Sequence, residues 1–181
     1  MILKLSSPSP AETFEIGKGI GRSLKGEEII LLCGGLGAGK TLMTKGIAAS
    51  LGIDPDDVVS PTFTLMNQYQ FRKNSLEENS NPTDSWFIHF DCYRFSDTVV
   101  DNQVKSKRLL SVNKGRKVQL GGIILPEIDE WIDAAVVVIE WAQFLHSSYF
   151  ALLKSISVNF HIISPHDRSI KIKSKLDYLQ L

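Results

Sequence analysis

The chain has 181 residues, of which 43% are apolar and 22% charged, and its 20 basic and 20 acidic side chains give a formal net charge of zero. This length suits one domain with a full core, and the charge balance argues against a molecule that is drawn as a whole onto nucleic acid. No apolar run approaches the ~20 residues that span a bilayer, and the N-terminus lacks the pattern of a secretory signal. We therefore expect a globular, cytoplasmic protein with no membrane contact.

A strand and a helix are predicted near the N-terminus. Residues 2–5 alternate between apolar and polar types, as a short strand does. Ser9 then reads as a helix cap, Pro10 as the first helical position and Glu12 as the partner that completes a capping box. Apolar side chains and glycines recur at helical spacing after it, and we expect Gly26 to end the helix.

A phosphate-binding loop is predicted where the buried run of residues 29–33 ends. Residues 34–41 read GGLGAGKT, which matches the pattern G-x-x-x-x-G-K-[ST] between a strand and a helix. The glycines allow backbone N–H groups to turn towards an anion. Lys40 adds positive charge for the β- and γ-phosphates, and the Thr41 hydroxyl lies where it can bind Mg²⁺ on the same phosphates. The segment predicts binding of a nucleoside triphosphate with Mg²⁺.

Two features follow the predicted loop and helix. Residues 60–62 read Ser-Pro-Thr and interrupt a β-rich run, because proline donates no backbone hydrogen bond. The segment is either a plain turn or a switch-like loop that carries Thr62 or Thr64 towards the γ-phosphate. Residues 86–90 then form a predicted strand that ends at Asp91, and an acid at the carboxyl end of such a strand lies on the edge where ligands bind.

A second acid ends another predicted strand. Residues 134–140 read AAVVVIE, and a continuous β-branched run is typical of a central parallel strand. Glu140 therefore reads as a Walker B-type acid that serves the Mg²⁺ ion, the alternative being a solvent-exposed strand end. The Trp141 side chain either forms a wall of the site or packs in the core.

Two stretches are predicted to be surface insertions. Residues 72–85 contain one large apolar side chain, which indicates a surface loop. Residues 101–122 carry a single acid, Asp101, and six basic side chains: Lys105, Lys107, Arg108, Lys114, Arg116 and Lys117. This segment is either a solvated basic loop or a contact for RNA or a partner protein. No aromatic side chains are interleaved to stack on bases.

The last third of the chain returns to short elements. Pro126 opens a predicted short helix over residues 125–132. Residues 155–163 and 170–173 alternate cleanly and are predicted to be antiparallel edge strands. The four histidines share no spacing, so we expect structural roles for each of them. Both cysteines lie beside apolar segments and are expected to be buried, reduced thiols.

Four segments in this order resemble one family. They are GGLGAGKT at 34–41, SPTFTL at 60–65, HFDCYR at 89–94 and IEWA at 139–142. The chain is similar in these segments to the TsaE (YjeE) family, the bacterial ATPase required for the threonylcarbamoyladenosine modification of tRNA. The resemblance implies a small cytoplasmic α/β ATPase that acts with the partner proteins TsaB and TsaD and hydrolyses ATP to sustain their turnover. It also implies that tRNA is contacted only through that complex.

The resemblance implies roles for individual residues. Lys40 would hold the phosphates, Thr41 and Glu140 would hold Mg²⁺, Asp91 would be an essential acid near the phosphates, and Thr62 would belong to a switch-like loop. The nucleotide-binding set that it implies comprises Thr13, Gly37, Ala38, Gly39, Lys40, Thr41, Leu42 and Arg168. Of these, Thr13 would lie near the nucleotide and Arg168 would reach the base or the sugar.

The sequence as a whole predicts a phosphate-loop NTPase-like three-layer fold of the α/β class. A central, mostly parallel sheet would carry added antiparallel strands, and residues 1–181 would form one domain with insertions at 72–85 and 101–122. Hydrolysis by the isolated chain would be slow, because no arginine is obviously placed as a finger. Arg94 would either serve in that role or form an ion pair with Asp91.

Two other functional classes share the phosphate loop. A small-molecule or nucleoside kinase would use the same metal chemistry but would need an acceptor pocket and usually a lid that carries arginine. A nucleotide-gated binding module would bind ATP with no meaningful turnover. The products distinguish the three classes: an ATPase yields free phosphate, a kinase yields a phosphorylated acceptor, and a binding module leaves ATP unreacted.

Overall fold

A computed structural model describes residues 1–73, 83–96, 125–145, 148–152 and 154–181. The strands are β1 (Ile2–Ser7), β2 (Ile29–Cys33), β3 (Met66–Lys73), β4 (Thr83–Asp91), β5 (Val136–Glu140), β6 (Ser155–Ile162) and β7 (Arg168–Ser174). The helices are α1 (Pro10–Arg22), α2 (Lys40–Ser50) and the single turn α3 (Pro126–Asp129). Short 3₁₀ turns cover Tyr93–Phe95, Ala142–Phe144 and Tyr149–Ala151.

The strands form one sheet in the order β1-β7-β6-β2-β5-β4-β3. The four central strands β6, β2, β5 and β4 are parallel to one another, while β3, β7 and β1 add to the two sides in antiparallel pairing. Every residue of β2 and β5 is buried, as expected of strands that are covered on both faces. The predicted α/β fold with a mostly parallel centre is confirmed.

Helices α1 and α2 cover one face of the sheet and lie close against each other. A Cβ on Gly17 would be 2.4 Å from the Met43 carbonyl oxygen, and one on Gly46 would be 2.2 Å from that of Phe14, so only glycine permits this approach. Helix α1 begins as predicted, since the Ser9 hydroxyl oxygen accepts a hydrogen bond of 3.1 Å from the Glu12 backbone N–H. The packing fixes α2, and with it the loop that precedes it.

The described residues cover the opposite face only in part. An apolar cluster of buried side chains from β2, β4 and β5 packs there with α3 and the 3₁₀ turns, and includes no side chain of β6, β7 or β1. Strands β6 and β7 pair with each other in antiparallel fashion, as predicted. The prediction that they are edge strands is wrong, because β6 also pairs in parallel with β2 and β7 lies between β6 and β1. The alternating pattern has another cause: one face of these strands packs against the helices, and in the described part of the chain the other face is open.

Two element boundaries also differ from the prediction. Helix α1 ends at Arg22 with Ser23 as its cap, and Gly26 lies beyond it at φ 104° in a turn. The ladder of β3 and β4 pairs Arg72 with Asp84, so these strands extend into the stretch 72–85 that the sequence predicted as a loop. Residues 74–82 and the basic segment 101–122 lie outside the described residues.

Candidate nucleotide site

The predicted phosphate loop joins the end of β2 to the start of α2. Gly37 and Gly39 have φ angles of +70° and +106°, in the left-handed region that glycine adopts without steric cost. A Cβ on Gly37 would meet nothing within 4 Å, so the loop leaves open space at this point. Gly39 is the N-cap of α2, whose first N–H groups and positive dipole end favour an anion.

Lys40 lies at the centre of the loop with its ammonium group turned towards backbone oxygens. Its Nζ donates to the carbonyl groups of Gly34 at 3.1 Å and Gly35 at 2.8 Å, and lies 3.6 Å from the centroid of the Trp141 ring. The residue is only 5% exposed. Burial lowers the pKa of Lys40 from its ordinary value, and the charges of Glu140 and Asp91 partly offset that change. An anion near Nζ would stabilise the charged form further.

Glu140 ends β5 as a buried carboxylate with several partners. It is 2% exposed, so the alternative of a solvent-exposed strand end is wrong. Its Oε2 accepts a hydrogen bond of 2.8 Å from the Thr41 hydroxyl. Its Oε1 lies 2.8 Å from Nε2 of His89 and accepts a longer bond of 3.4 Å from the Thr44 hydroxyl. These contacts offset the cost of burying the charge and fix the carboxylate beside the loop.

Asp91 ends β4 directly beside Glu140 in the parallel ladder and is likewise 2% exposed. Its Oδ2 accepts hydrogen bonds from the hydroxyl groups of Ser60 at 2.8 Å and Thr62 at 2.6 Å. Its Oδ1 accepts one of 2.8 Å from the Tyr93 backbone N–H. The segment that contains residues 60–62 is thus tied to the sheet edge.

The structure shows which of the residues near Asp91 contact it. Thr62 approaches Asp91, whereas the Thr64 hydroxyl donates to Asn67 at 3.1 Å. The side chain of Arg94 is exposed. Within the described part of the chain it forms no ion pair with Asp91.

A cavity of about 390 Å³ joins the loop to both acids. Its walls are Leu36, Gly37, Ala38, Gly39, Lys40, Thr41, Leu42, Ser60, Thr62, Asp91, Tyr93, Glu140 and Trp141. Trp141 and Tyr93 both line this cavity, and their ring centroids are 4.8 Å apart. The Trp141 side chain therefore forms a wall of the site. A larger cleft of about 840 Å³ lies where α1 and α2 end, and none of the predicted site residues lines it.

Thr13 and Arg168, which are predicted to contact the nucleotide, are not among the described residues that line this cavity. The methyl carbon of Thr13 is 3.2 Å from the position of a Cβ on Gly39, and its hydroxyl is 2.6 Å from that of Ser7. Arg168 donates through Nη2 to the Gly37 carbonyl oxygen at 3.1 Å. Its Nη1 donates to carbonyl groups of the turn that precedes β7. Both residues contact the loop, and their roles towards a nucleotide stay predictions.

Comparison with known proteins identifies the family of this chain. Residues 7–170 match the family model described as "Threonylcarbamoyl adenosine biosynthesis protein TsaE". The chain belongs to the TsaE family. The tRNA threonylcarbamoyladenosine biosynthesis protein TsaE of Aquifex aeolicus is 41% identical over 90 residues, which are 49% of this chain and 59% of that protein. Its counterpart in Mycobacterium tuberculosis is 30% identical over 136 residues, which are 75% of this chain and 66% of that one.

These matches span about three fifths to two thirds of the lengths of those TsaE proteins. Among solved structures, Bacillus subtilis YdiB matches with a TM-score of 0.57 and 21% identity, over 99% of this chain and 89% of that one. At this identity the likeness supports the fold alone. Among the described helices, none is both long and apolar enough to cross a membrane.

Sequence reasoning missed two contacts that complete the site of this TsaE-family chain. His89 is fully buried against Glu140, although the spacing of the histidines suggested only general structural roles. Its position two residues before Asp91 on the same strand was a usable signal, because residues i and i+2 share a face. Thr44, which lies one helical turn after Thr41, could have been found from the same kind of spacing.

The side chains at this site fit Mg²⁺ held jointly with a nucleotide. The donors beside the loop are the oxygen atoms of Thr41, Glu140 and Asp91, the atom type that Mg²⁺ prefers. Over the described ranges, no group of three or more His, Cys, Asp or Glu residues could hold a metal ion by itself. Thr41 and Glu140 would therefore contribute to a site that phosphate oxygens and water complete, which is the usual arrangement for Mg²⁺.

Proposed function

We propose that this chain binds ATP with Mg²⁺ in the cavity beside the phosphate loop and hydrolyses it during tRNA threonylcarbamoyladenosine biosynthesis. The observation that carries the proposal is the meeting of Lys40, Thr41, Asp91 and Glu140 around one cavity. Such a set combines an anion cradle, a fixed cation and two carboxylates. Membership of the TsaE family supports the pathway.

Lys40, Thr41 and Glu140 would bind the phosphates and their metal ion. The Lys40 ammonium, which now contacts two loop carbonyl groups and the Trp141 ring, has the charge and position to exchange these partners for phosphate oxygens. The Thr41 hydroxyl and the Glu140 carboxylate are hydrogen-bonded at 2.8 Å and would share the Mg²⁺ shell. When bound, Mg²⁺ neutralises charge that develops on the phosphates.

Asp91 is the better candidate for orienting the attacking water. Both carboxylate oxygens of Glu140 have buried or half-buried partners inside the fold, namely Thr41, Thr44 and His89. Oδ2 of Asp91 instead accepts from Ser60 and Thr62, whose loop lines the cavity. Release of either hydroxyl would free a lone pair for water, and Thr62 would follow the γ-phosphate.

Turnover by the isolated chain would be slow and would increase with partner proteins. Among the described residues, none that lines the cavity is an arginine, and an arginine finger can contribute ~1,000-fold or more to the rate. We propose TsaB and TsaD as the partners, with tRNA reached through their complex. Both cysteines are free and buried, which suits a reducing compartment such as the cytoplasm.

Product analysis tests the proposal against its rivals. The chain is incubated with Mg²⁺ and ATP, alone and with TsaB and TsaD, and the products are separated. Free phosphate that increases when the partners are added supports the ATPase. A phosphorylated acceptor would indicate a kinase, and unreacted ATP in every mixture would indicate a binding module. Lys40→Ala is the control and should form no product.

A further inference from the structure

Within the described part of the chain, one half of a sheet face is open, and its side chains form three rows across strands β1, β7 and β6. The ladder aligns Lys4, Lys171 and Asn159 in one row, with Ile2, Lys173 and Ser157 on one side of it and Ser6, Ser169 and His161 on the other. Paired residues point to the same face. We call these nine residues the lysine face.

The residues between them on each strand point the other way. Ile156, Val158, Ile170 and Ile172 belong to the apolar cluster under α1 and α2. On the lysine face, in contrast, Lys4 and Lys173 are exposed and Lys171 is half-buried. The apolar cluster on that side of the sheet ends at β2.

The lysine face is positively charged with no compensating acid of its own. Strands β1, β6 and β7 contain no Asp or Glu. Lys4 lies directly opposite Lys171, and like charges in such pairs are destabilising. Within the described part of the chain, neither of these lysines nor Lys173 forms an ion pair. The fold thus tolerates an unfavourable arrangement that an anion would relieve.

Protection of a sheet edge does not account for these lysines. Lysine often guards an edge strand against pairing with another chain, and β1 is such an edge. That explanation covers Lys4 only. Lys171 and Lys173 belong to β7, which is paired on both sides.

The remaining side chains favour phosphate groups over a protein surface. Ser6, Ser157, Ser169 and Asn159 supply hydroxyl and amide donors, the types that contact phosphate and sugar in nucleic acids. The face has no Phe, Tyr or Trp side chain, the types that base stacking and the centre of a protein interface normally use. Ile2 is its one large apolar side chain and lies at a corner.

We propose that the lysine face binds the phosphate backbone of a folded RNA, without reading its sequence. The inference goes beyond the proposed ATPase, in which tRNA is reached only through the partner complex, and it does not depend on ATP hydrolysis. Binding of this kind releases counterions and therefore weakens as salt increases.

The test compares two double variants that remove the same charge. Lys171→Gln with Lys173→Gln alters the lysine face, and Lys18→Gln with Lys45→Gln removes two lysines from α1 and α2. Binding of a folded tRNA transcript is measured by fluorescence anisotropy over a salt series from low to physiological ionic strength. We expect the slope of log affinity against log salt to fall by about two for the face variant, about one per phosphate contact. The helix variant should keep the slope of the unmodified chain.

Further measurements keep the outcome interpretable. ATP affinity should match the unmodified chain in both variants, because none of the four lysines lines the cavity. Thermal melting checks that both variants are folded. Lys171→Arg with Lys173→Arg should retain RNA binding. The proposal is wrong if the transcript does not bind at low salt, or if both double variants weaken it equally. It is also wrong if the face variant loses binding to TsaB and TsaD while tRNA binding persists, which would indicate a protein-docking surface.

Discussion

The hydroxyl of Thr41 and Oε2 of Glu140 are joined by a hydrogen bond of 2.8 Å. The first residue lies in the opening turn of α2 and the second ends β5, 99 positions further along the chain. The central position of β5 beside β2 makes this meeting possible. The helix that follows the phosphate loop and the acid of the neighbouring strand therefore form one structural unit.

Thr41→Ala should weaken ATP binding more with Mg²⁺ than without it. The loss of one contact with a charged group costs about 1.5–3 kcal/mol. The affinity for ATP in the presence of Mg²⁺ should therefore fall about tenfold or more. Calorimetry with and without the metal measures both affinities. Thr44→Ala is the matched control, because its bond to Glu140 is longer at 3.4 Å and it does not line the cavity. Equal losses in the two conditions would remove Thr41 from the metal shell.

His89→Ala should destabilise the fold. The change removes a partner of the buried Glu140 carboxylate and leaves a cavity in a site where His89 is fully buried. We expect a loss of about 2 kcal/mol or more in the free energy of unfolding, measured by urea denaturation. His89→Gln can still donate to Glu140 and should lose less. If His89→Ala were as stable as the unmodified chain, the contact would have no structural weight.

Arg168→Ala should weaken the binding of inorganic tripolyphosphate and the binding of ATP by similar factors. The side chain donates to the Gly37 carbonyl oxygen of the loop and to carbonyl groups of the turn from Ser164 to Asp167. These contacts indicate that Arg168 stabilises the conformation of the phosphate loop. Titration with the two ligands separates this role from the one that the family resemblance implies. Loss confined to ATP would mean that Arg168 reaches the base or the sugar.

Much of the site was accessible from sequence because its parts are local. The loop is a continuous motif, and Asp91 and Glu140 each end a strand whose apolar run is visible. That both acids lie at one edge of the sheet follows once both strands are parallel members of it, whereas their placement directly beside each other requires β4 and β5 to be neighbours. Contacts between distant elements, such as His89 with Glu140, depend on strand order and were not predicted.

The error over β6 has a physical explanation. Strict alternation of polar and apolar residues reports that one face of a strand is open, and says nothing of how many neighbours the strand has. Ser157, Asn159 and His161 produce the alternation, yet β6 is paired on both sides. The predicted loop 72–85 was too long for another reason. Polar residues such as Arg72 and Asp84 pair across β3 and β4 on an exposed part of the sheet, so a lack of apolar side chains did not mark a loop.

The two cysteines should be unreactive near neutral pH. Burial raises the pKa of Cys33 from 9.0 to about 11, with Lys40 opposing the change, and burial together with Asp91 raises that of Cys92 to about 12. Both thiols are therefore neutral at pH 8, and the thiolate is the reactive form. A thiol-specific disulfide reagent should react slowly with the native chain at pH 8 and with two thiols in urea.

The same shifts predict a pH dependence of stability. Because the pKa values are higher in the folded state, their contribution is fully present below about pH 9 and is lost as the pH rises through 11 and 12. The free energy of unfolding should therefore fall as the pH rises from about 9 to about 12. Fast labelling of either thiol in the native chain at pH 8 would contradict the burial of these side chains.

Phosphate release by the acid variants tests the central claim most directly. Asp91→Asn and Glu140→Gln keep side-chain size and most hydrogen bonds but remove the charges that are proposed to orient water and hold metal. Release from Mg²⁺ and ATP is measured in the presence of TsaB and TsaD, with thermal melting as the control for folding. Both variants should remain folded and lose nearly all release. Unchanged release from a folded variant would contradict the role assigned to that acid, and unchanged release from both would refute hydrolysis at this site.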